Sequence, residues 1–116
     1  MPDSTLHFFS SALAIREKQI SLSAANIANR DTPNYKAQDI DFASVFQDAI
    51  KAGPNSTRPL QDKIMFRQGT TAKLDGNTVD ATIEASKFSE YTQQYQMALE
   101  MLTSTRDSRL KAIRGK

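Results

Sequence analysis

Few residues of this chain have the types and spacing to do chemistry. His7 is the single histidine, and a general base or metal ligand needs an acid, nucleophile or second ligand close by, which Leu6 and Phe8 do not supply. Asp39 and Asp41 would share one face of an extended segment, and Asp75, Asn77 and Asp80 superficially suggest a calcium loop. The twelve-residue ligand pattern of such a loop is missing, so turn and capping roles are expected for these side chains. Asn55-Ser56-Thr57 matches a glycosylation acceptor. The start Met1-Pro2-Asp3-Ser4-Thr5, however, lacks the basic region and apolar core of a cleaved secretory signal, which makes the match coincidental. There is no phosphate-binding glycine loop, no nucleophile elbow and no cysteine, so disulfide staples and thiolate metal sites are excluded. The expectation is a protein that is not an enzyme, with no catalytic residue, cofactor, metal or small-molecule substrate.

The most informative stretch is instead Ala25-Asn26-Ile27-Ala28-Asn29-Arg30-Asp31-Thr32-Pro33-Asn34-Tyr35-Lys36, where a helical apolar pattern gives way to turn formers. Pro33 cannot continue a helical ladder and biases Thr32 away from the α region, while Asn34 tolerates a left-handed backbone. A helix must therefore end near Asn29 or Arg30 and the chain must leave it extended. Asn26 and Asn29 are three apart and share a helical face, where their amides can take orphan carbonyls of the last turn or bond a neighbouring helix. Tyr35 adds an apolar ring with a polar tip.

Before this boundary, Leu6, Leu13, Ile20 and Ile27 repeat every seven residues with Phe9 and Ala24 in the same stripe, a heptad-like seam interrupted once by Glu17. Ser4 or Asp3 can cap the start, giving a helix of about 25 residues and roughly 40 Å. A second apolar set, Phe8, Ala12, Ile15 and Leu22, lies beside the first, so this helix buries more than one face. The C-terminal segment repeats the design, with Asp80 as cap, Glu84 a turn further in, and a stripe of Ala81, Ala85, Phe88, Tyr95, Leu99, Leu102, Leu110 and Ile113 that Gly115 stops. Between the two, Ser44 to Lys51 reads as a short helix, residues 52–59 as a breaker-rich flexible loop, Lys63 to Arg67 as one short strand, and Asp75-Gly76-Asn77 as a tight turn flanked by Leu74 and Val79.

The predicted fold class is mainly α: long N- and C-terminal helices paired as a coiled-coil-like bundle, joined by an extended loop and short-strand connector. The division is 1–31 for the first helix, 32–79 for the connector and 80–116 for the second helix. A hydrophobic content of 39% with a mean hydropathy of −0.52 suggests a modest core for 116 residues. Surplus apolar helix surface in such a chain marks an intermolecular interface, for which Leu6, Phe9, Leu13, Ile20, Ile27, Phe88, Tyr95, Leu99, Leu102 and Leu110 are the candidates. No apolar run approaches the roughly 20 residues of a membrane span. The net charge of +2 is uneven, with +4 from Arg106 onward. Cations at a helix C-terminus complement its dipole, and no aromatic residues interleave to stack bases, so no nucleic-acid partner is expected.

The run from Asn26 and Asn29 through Asp31, Thr32, Pro33, Tyr35 and Lys36 resembles the N-terminal signature of the bacterial flagellar rod, hook and hook-associated axial proteins. Its continuation through Asp39, Asp41 and Phe42 is similar to the proximal rod members of that family. So is a second block, Leu74, Asp75, Gly76, Asn77, Thr78, Val79 and Asp80 with Glu84. The resemblance covers residues 6–42 and 74–114, and departs at Arg30 and Thr82, where a small and an acidic residue are the family's pattern. It implies a structural subunit of the basal-body rod with itself and other rod proteins as partners, placed in the periplasmic rod near the junction of membrane ring and export gate. It further implies export by the flagellar type III apparatus without a cleaved signal. The residues by themselves also fit a soluble helical adaptor or export-cargo partner that uses the same stripes transiently.

Overall fold

The computed structural model describes residues 4–53, 63–67 and 72–115; the Asn55 acceptor, the candidate cap Asp3 and most of the loop expected at 52–59 lie outside them. Helix α1 spans Ser4–Ala28, strand β1 Gln38–Ile40, helix α2 Phe42–Ala52, strand β2 Ile64–Phe66 and helix α3 Ala81–Ile113. The two long helices, short third helix and two-strand connector are the mainly α architecture that the periodicity predicts.

Helix α1 contains no glycine or proline, which suits its 25-residue length. Its end is a sequence of overlapping turns: Asn29 N–H bonds the Ala25 and Asn26 carbonyls, Arg30 N–H bonds Ile27 O, and Thr32 N–H bonds Asn29 O. Asn34 then takes the left-handed conformation at φ 65°. The buried line on α1 is Ala12, Ile15, Gln19, Leu22 and Asn26, at the three-four spacing of a packed helix face. It keeps Ala12, Ile15 and Leu22 of the second apolar set and adds two amides, while Phe8 of that set is exposed. The heptad residues Leu13, Ile20 and Ile27 each follow a buried position by one residue, about 100° round the helix, and stay half-buried, while Leu6 is exposed.

Helix α2, capped at its end by Gly53, lies across the N-terminal half of α1. Phe8 meets Phe46 edge-on at 4.9 Å, Phe42 stacks on Phe46 at 5.2 Å, and His7 Nε2 donates to Ala49 O at 3.0 Å. The single histidine thus has a structural partner. Ile15, Leu22, Ile40 and Val45 form the apolar core, with Phe42, Phe46 and Ile64 packed on it. Strands β1 and β2 pair antiparallel, Gln38 opposite Phe66 and Ile40 opposite Ile64. The extended arm after Pro33 therefore finds its partner in the strand expected at Lys63 to Arg67.

Helix α3 starts where expected, with Asp80 Oδ1 accepting from the Thr82 and Ile83 amides. It runs antiparallel to α1: Asn26 bonds Glu84, and Gln19 lies with Tyr91 along one groove. Continuing that register sets Ser4 level with about Arg106, so roughly the last two turns of α3 extend past α1. Ala81 and Ala85, expected on the buried stripe, are exposed. The line that faces the rest of the chain starts one step away, at Glu84, and runs through Tyr91 to Tyr95 and Leu102, two residues of the expected stripe that are half-buried.

Gly76 shows how tightly the connector is drawn against the helix corner. Its φ is +83°, and a Cβ there would come within 2.2 Å of Asn34 Oδ1; Gly53, at φ +85°, has open space around it. Gly53 pairs its φ with ψ 172°, a region held almost only by glycine, so Gly53→Ala carries backbone strain of about 1–3 kcal/mol without a clash. Gly76→Ala adds the displacement of the Asn34 side chain to its own positive φ. Urea unfolding monitored by circular dichroism should show Gly76→Ala losing about 2 kcal/mol, and its combination with Asn34→Ala should lose less than the two single changes added together. Strict additivity would mean that the Asn34 turn yields freely.

Candidate functional site

Two completely buried asparagines organise the corner where α1 ends and α3 begins. Asn26 Nδ2 donates to Gln38 O at 2.9 Å, and its Oδ1 accepts from Gln38 N–H at 3.0 Å. An amide side chain thereby substitutes for a third strand along the outer edge of β1, which Gln19 continues by donating to Ile40 O at 3.2 Å. Asn77 performs the reciprocal task from the other block. Its Nδ2 donates to Asn29 O at 2.9 Å and Thr32 O at 2.6 Å, a second bond to each of two turn carbonyls past the end of α1, and its Oδ1 accepts from Val79 N–H. Asn29 Nδ2 covers Ala25 O at 2.8 Å.

The two motif blocks, some forty residues apart in sequence, are thus direct neighbours. Asn34 N–H bonds Asp75 O, Thr78 N–H bonds Tyr35 O, Ala37 N–H bonds Thr78 Oγ1, and the Lys36 ammonium donates to Gly76 O. Asp75 Oδ1 accepts from Asn77 N–H. With Asp80 on its helix cap, Asp75, Asn77 and Asp80 serve turns and a cap, as expected. Tyr35 is half-buried, its hydroxyl donating to Asn26 Oδ1 at 3.2 Å. Asp31 and Pro33 are exposed at the turn. Asp41 precedes α2, and Phe42 lies 3.6 Å beneath the Arg16 guanidinium.

The decisive contact was not singled out from the sequence. Glu84 has no exposed surface. Arg67, at the end of β2, donates to it twice, from Nε at 2.8 Å and Nη2 at 2.9 Å, and from Nη1 to Asp39 Oδ2 at 2.8 Å. Asn26 Nδ2 adds a bond to Glu84 Oε1 at 3.0 Å, and Tyr91 O–H donates to the Asp39 carboxylate at 3.1 Å. One guanidinium therefore clasps both strands to α3, and Glu84 carries the contact on to Asn26 of α1. The available signal was position: Glu84 stands on the stripe of Phe88, Tyr91 and Tyr95 at intervals of four, seven and eleven residues, where a carboxylate needs a cationic partner.

The electrostatics follow from that burial. Burial alone would pull Arg67 down, but the Glu84 hydrogen bonds and the Asp39 and Glu84 charges hold it above its usual range. The Tyr91 phenol is pushed up to about 12, first by burial and then by Asp39, against the opposing pull of Arg67. Burial, with the Glu84 charge behind it, also raises Tyr35.

The candidate interface residues divide between inside and outside. Phe9, Leu13, Ile20, Ile27, Tyr95 and Leu102 are half-buried within the chain. Leu6, Phe88, Leu99 and Leu110 keep 37–42% of their surface. Further apolar exposure appears at Met97, Met101 and Ile113, of which the two methionines fall outside the expected stripe because they lie on the opposite flank of α3.

Two outcomes are expected of the clasp. Glu84→Ala, which leaves a guanidinium buried without its bidentate partner, should cost about 3–5 kcal/mol in urea unfolding, and Arg67→Met/Glu84→Met should cost less than the two single changes added together. Strict additivity would show that the pair is not coupled. The raised Tyr91 favours the neutral phenol in the fold, so its contribution is intact below about pH 10 and is lost as pH rises through about 12. Absorbance at the phenolate band should show a tyrosine titrating last that is missing in Tyr91→Phe; an unchanged last step in that variant would contradict the assignment.

A family model described as "Flagella basal body rod protein" matches residues 6–36, the first helix and its corner. The flagellar basal body rod protein FlgB of Escherichia coli (strain K12) is 35% identical over 119 positions, covering 87% of this chain and 86% of that protein. FlgB of Salmonella typhimurium is 33% identical over 132 positions, covering 97% and 95% respectively. FlgB of Cereibacter sphaeroides is 35% identical over 114 positions, covering 90% and 89%. The similarity spans both motif blocks and the helices that they join, and the chain belongs to the FlgB family of flagellar basal body rod proteins.

Proposed function

We propose that this structural subunit of the basal-body rod assembles helically through its two terminal helices, with copies of itself and with other rod proteins, to form part of the drive shaft. The observation that carries this reading is apolar surface left over on both long helices after the chain has packed its own core. Ile113 keeps 81% of its surface, Met97 61%, Met101 54%, Leu99 42%, and Leu6 and Leu110 41% each. Scattered apolar residues on a surface are ordinary, but a run along one long helix, continued by an overhang with no helix beside it among the described residues, is interface material. Contacts between unlike faces that do not close a ring generate a shaft.

The same reading places the subunit in the periplasmic part of the basal body, exported from the cytoplasm without a cleaved signal and adjoining the membrane ring and export gate. Its role is mechanical, with no reaction to catalyse. The clasp supports this role by fixing the connector on the helix pair, so that torque passes through a rigid corner.

Leu99→Asp and Leu6→Asp alter exposed positions and should leave the helical content of the purified chain unchanged. In a strain lacking the native protein, each should shrink the swimming halo and lower the number of basal bodies recovered per cell by about tenfold, as expected for a charge placed in a desolvated contact. Normal assembly by both variants, with the protein retained in the cytoplasm, would favour a transient adaptor.

A further inference from the structure

A groove of about 550 Å³ opens beside the clasp, walled by Phe42, Met65 and Ile83, with Asp41 and Glu90 at its edge. Met65 and Ile83 are 42% and 37% exposed, so the apolar wall is not covered by the described part of the chain. The charged side chains lining it are three of each sign, but its cations are engaged. Arg67 holds Glu84 and Asp39, Arg16 covers the Phe42 ring and bonds Gln19, and Lys87 lies 3.7 Å from Glu90. The Asp41 carboxylate is exposed and makes no cap bond at the start of α2. Glu90 and Asp39 are taken up by the same pairs, so the groove offers an apolar wall with the exposed Asp41 carboxylate as the acidic point at its edge.

The overhanging end of α3 has the complementary chemistry. Leu110 and Ile113 are exposed there, and residues 106–114 carry four cations against Asp107 alone. We propose that this end of α3 in one copy seats in the groove of the next copy, Leu110 and Ile113 against the apolar wall and Lys111 and Arg114 toward Asp41. The inference rests on the rod-subunit reading and names how neighbouring copies meet. No copy can satisfy itself, because Glu90 and Arg114 lie 24 residues apart on one continuous helix, about 36 Å. Groove and helix end are unlike surfaces, so the contact is heterologous and leaves a free groove and a free end at every stage of growth.

The chain has no cysteine, which gives a silent background for cross-linking. Asp41→Cys/Arg114→Cys and, as a second pair, Glu90→Cys/Lys111→Cys would be expressed in the null strain and oxidised in isolated basal bodies. A disulfide needs its Cα atoms within about 7 Å, so any link must join two copies. The expected result is a ladder of dimer, trimer and higher species on a non-reducing gel. A dimer band alone would mean a closed antiparallel pair and would overturn the proposal, as would no linkage by either pair. Charge reversal reads the same contact without disulfides: Asp41→Lys alone and Lys111→Glu/Arg114→Glu alone should each lower basal-body yield several-fold, and their combination should restore it. Absence of that rescue would count against the proposal. Failure of the unmodified chain to restore basal bodies would instead reject the rod-subunit reading itself.

Discussion

A carboxylate with no exposed surface, Glu84, is the constraint on which the rest of this structure depends. An ionised group removed from water costs several kcal/mol unless a charge and hydrogen bonds replace its hydration. Here the replacement is spread over three elements. Arg67 comes from the end of β2, Asn26 from α1, and Asp39 of β1 occupies the remaining face of the same guanidinium. Because Arg67 can reach Glu84 only when β2 lies beside β1, and β1 is held in turn by Asn26, satisfying one charge sets the positions of both strands relative to both long helices. Polar geometry is directional where apolar packing is not, and the small core around Ile15 and Val45 could not select this arrangement unaided.

Much of the corner was legible in the sequence because its residues act locally. Pro33, Asn34, Asp75, Gly76 and Asp80 have roles imposed by backbone conformation, and each takes up the turn or cap that its type predicts. Asn26 and Asn29 were legible as a shared face seeking carbonyls, and both find them. The clasp was less so, because Arg67 and Glu84 lie seventeen residues apart across a loop and their meeting depends on strand pairing. The buried line of α3 was displaced for a related reason. Glu84 and Tyr91 form it, and polar residues are discounted when apolar periodicity is traced. On α1, too, the buried line includes Gln19 and Asn26, two amides that apolar periodicity does not count.

The division of labour has a consequence for assembly. The inner faces of α1 and α3 are partly polar and joined through a directional network, which gives one register between the helices. Their remaining apolar residues lie on flanks and on the overhang of α3, available to neighbours. A subunit built this way can be rigid at one corner while the contacts proposed above cover its shaft and the distal turns of α3. Amide-rich contacts also avoid making the isolated chain so apolar that it aggregates before it is placed.

The central claim, that the clasp makes the connector and the two helices one cooperative unit, is tested most directly by native-state hydrogen exchange on the purified chain. The amides of Asn34, Gln38, Arg67 and Thr78 all donate across that unit. The account predicts that they open with one common free energy and that Arg67→Met lowers protection at all four together. Independent opening free energies in the wild type, or loss confined to Arg67 and its strand neighbours in the variant, would contradict it.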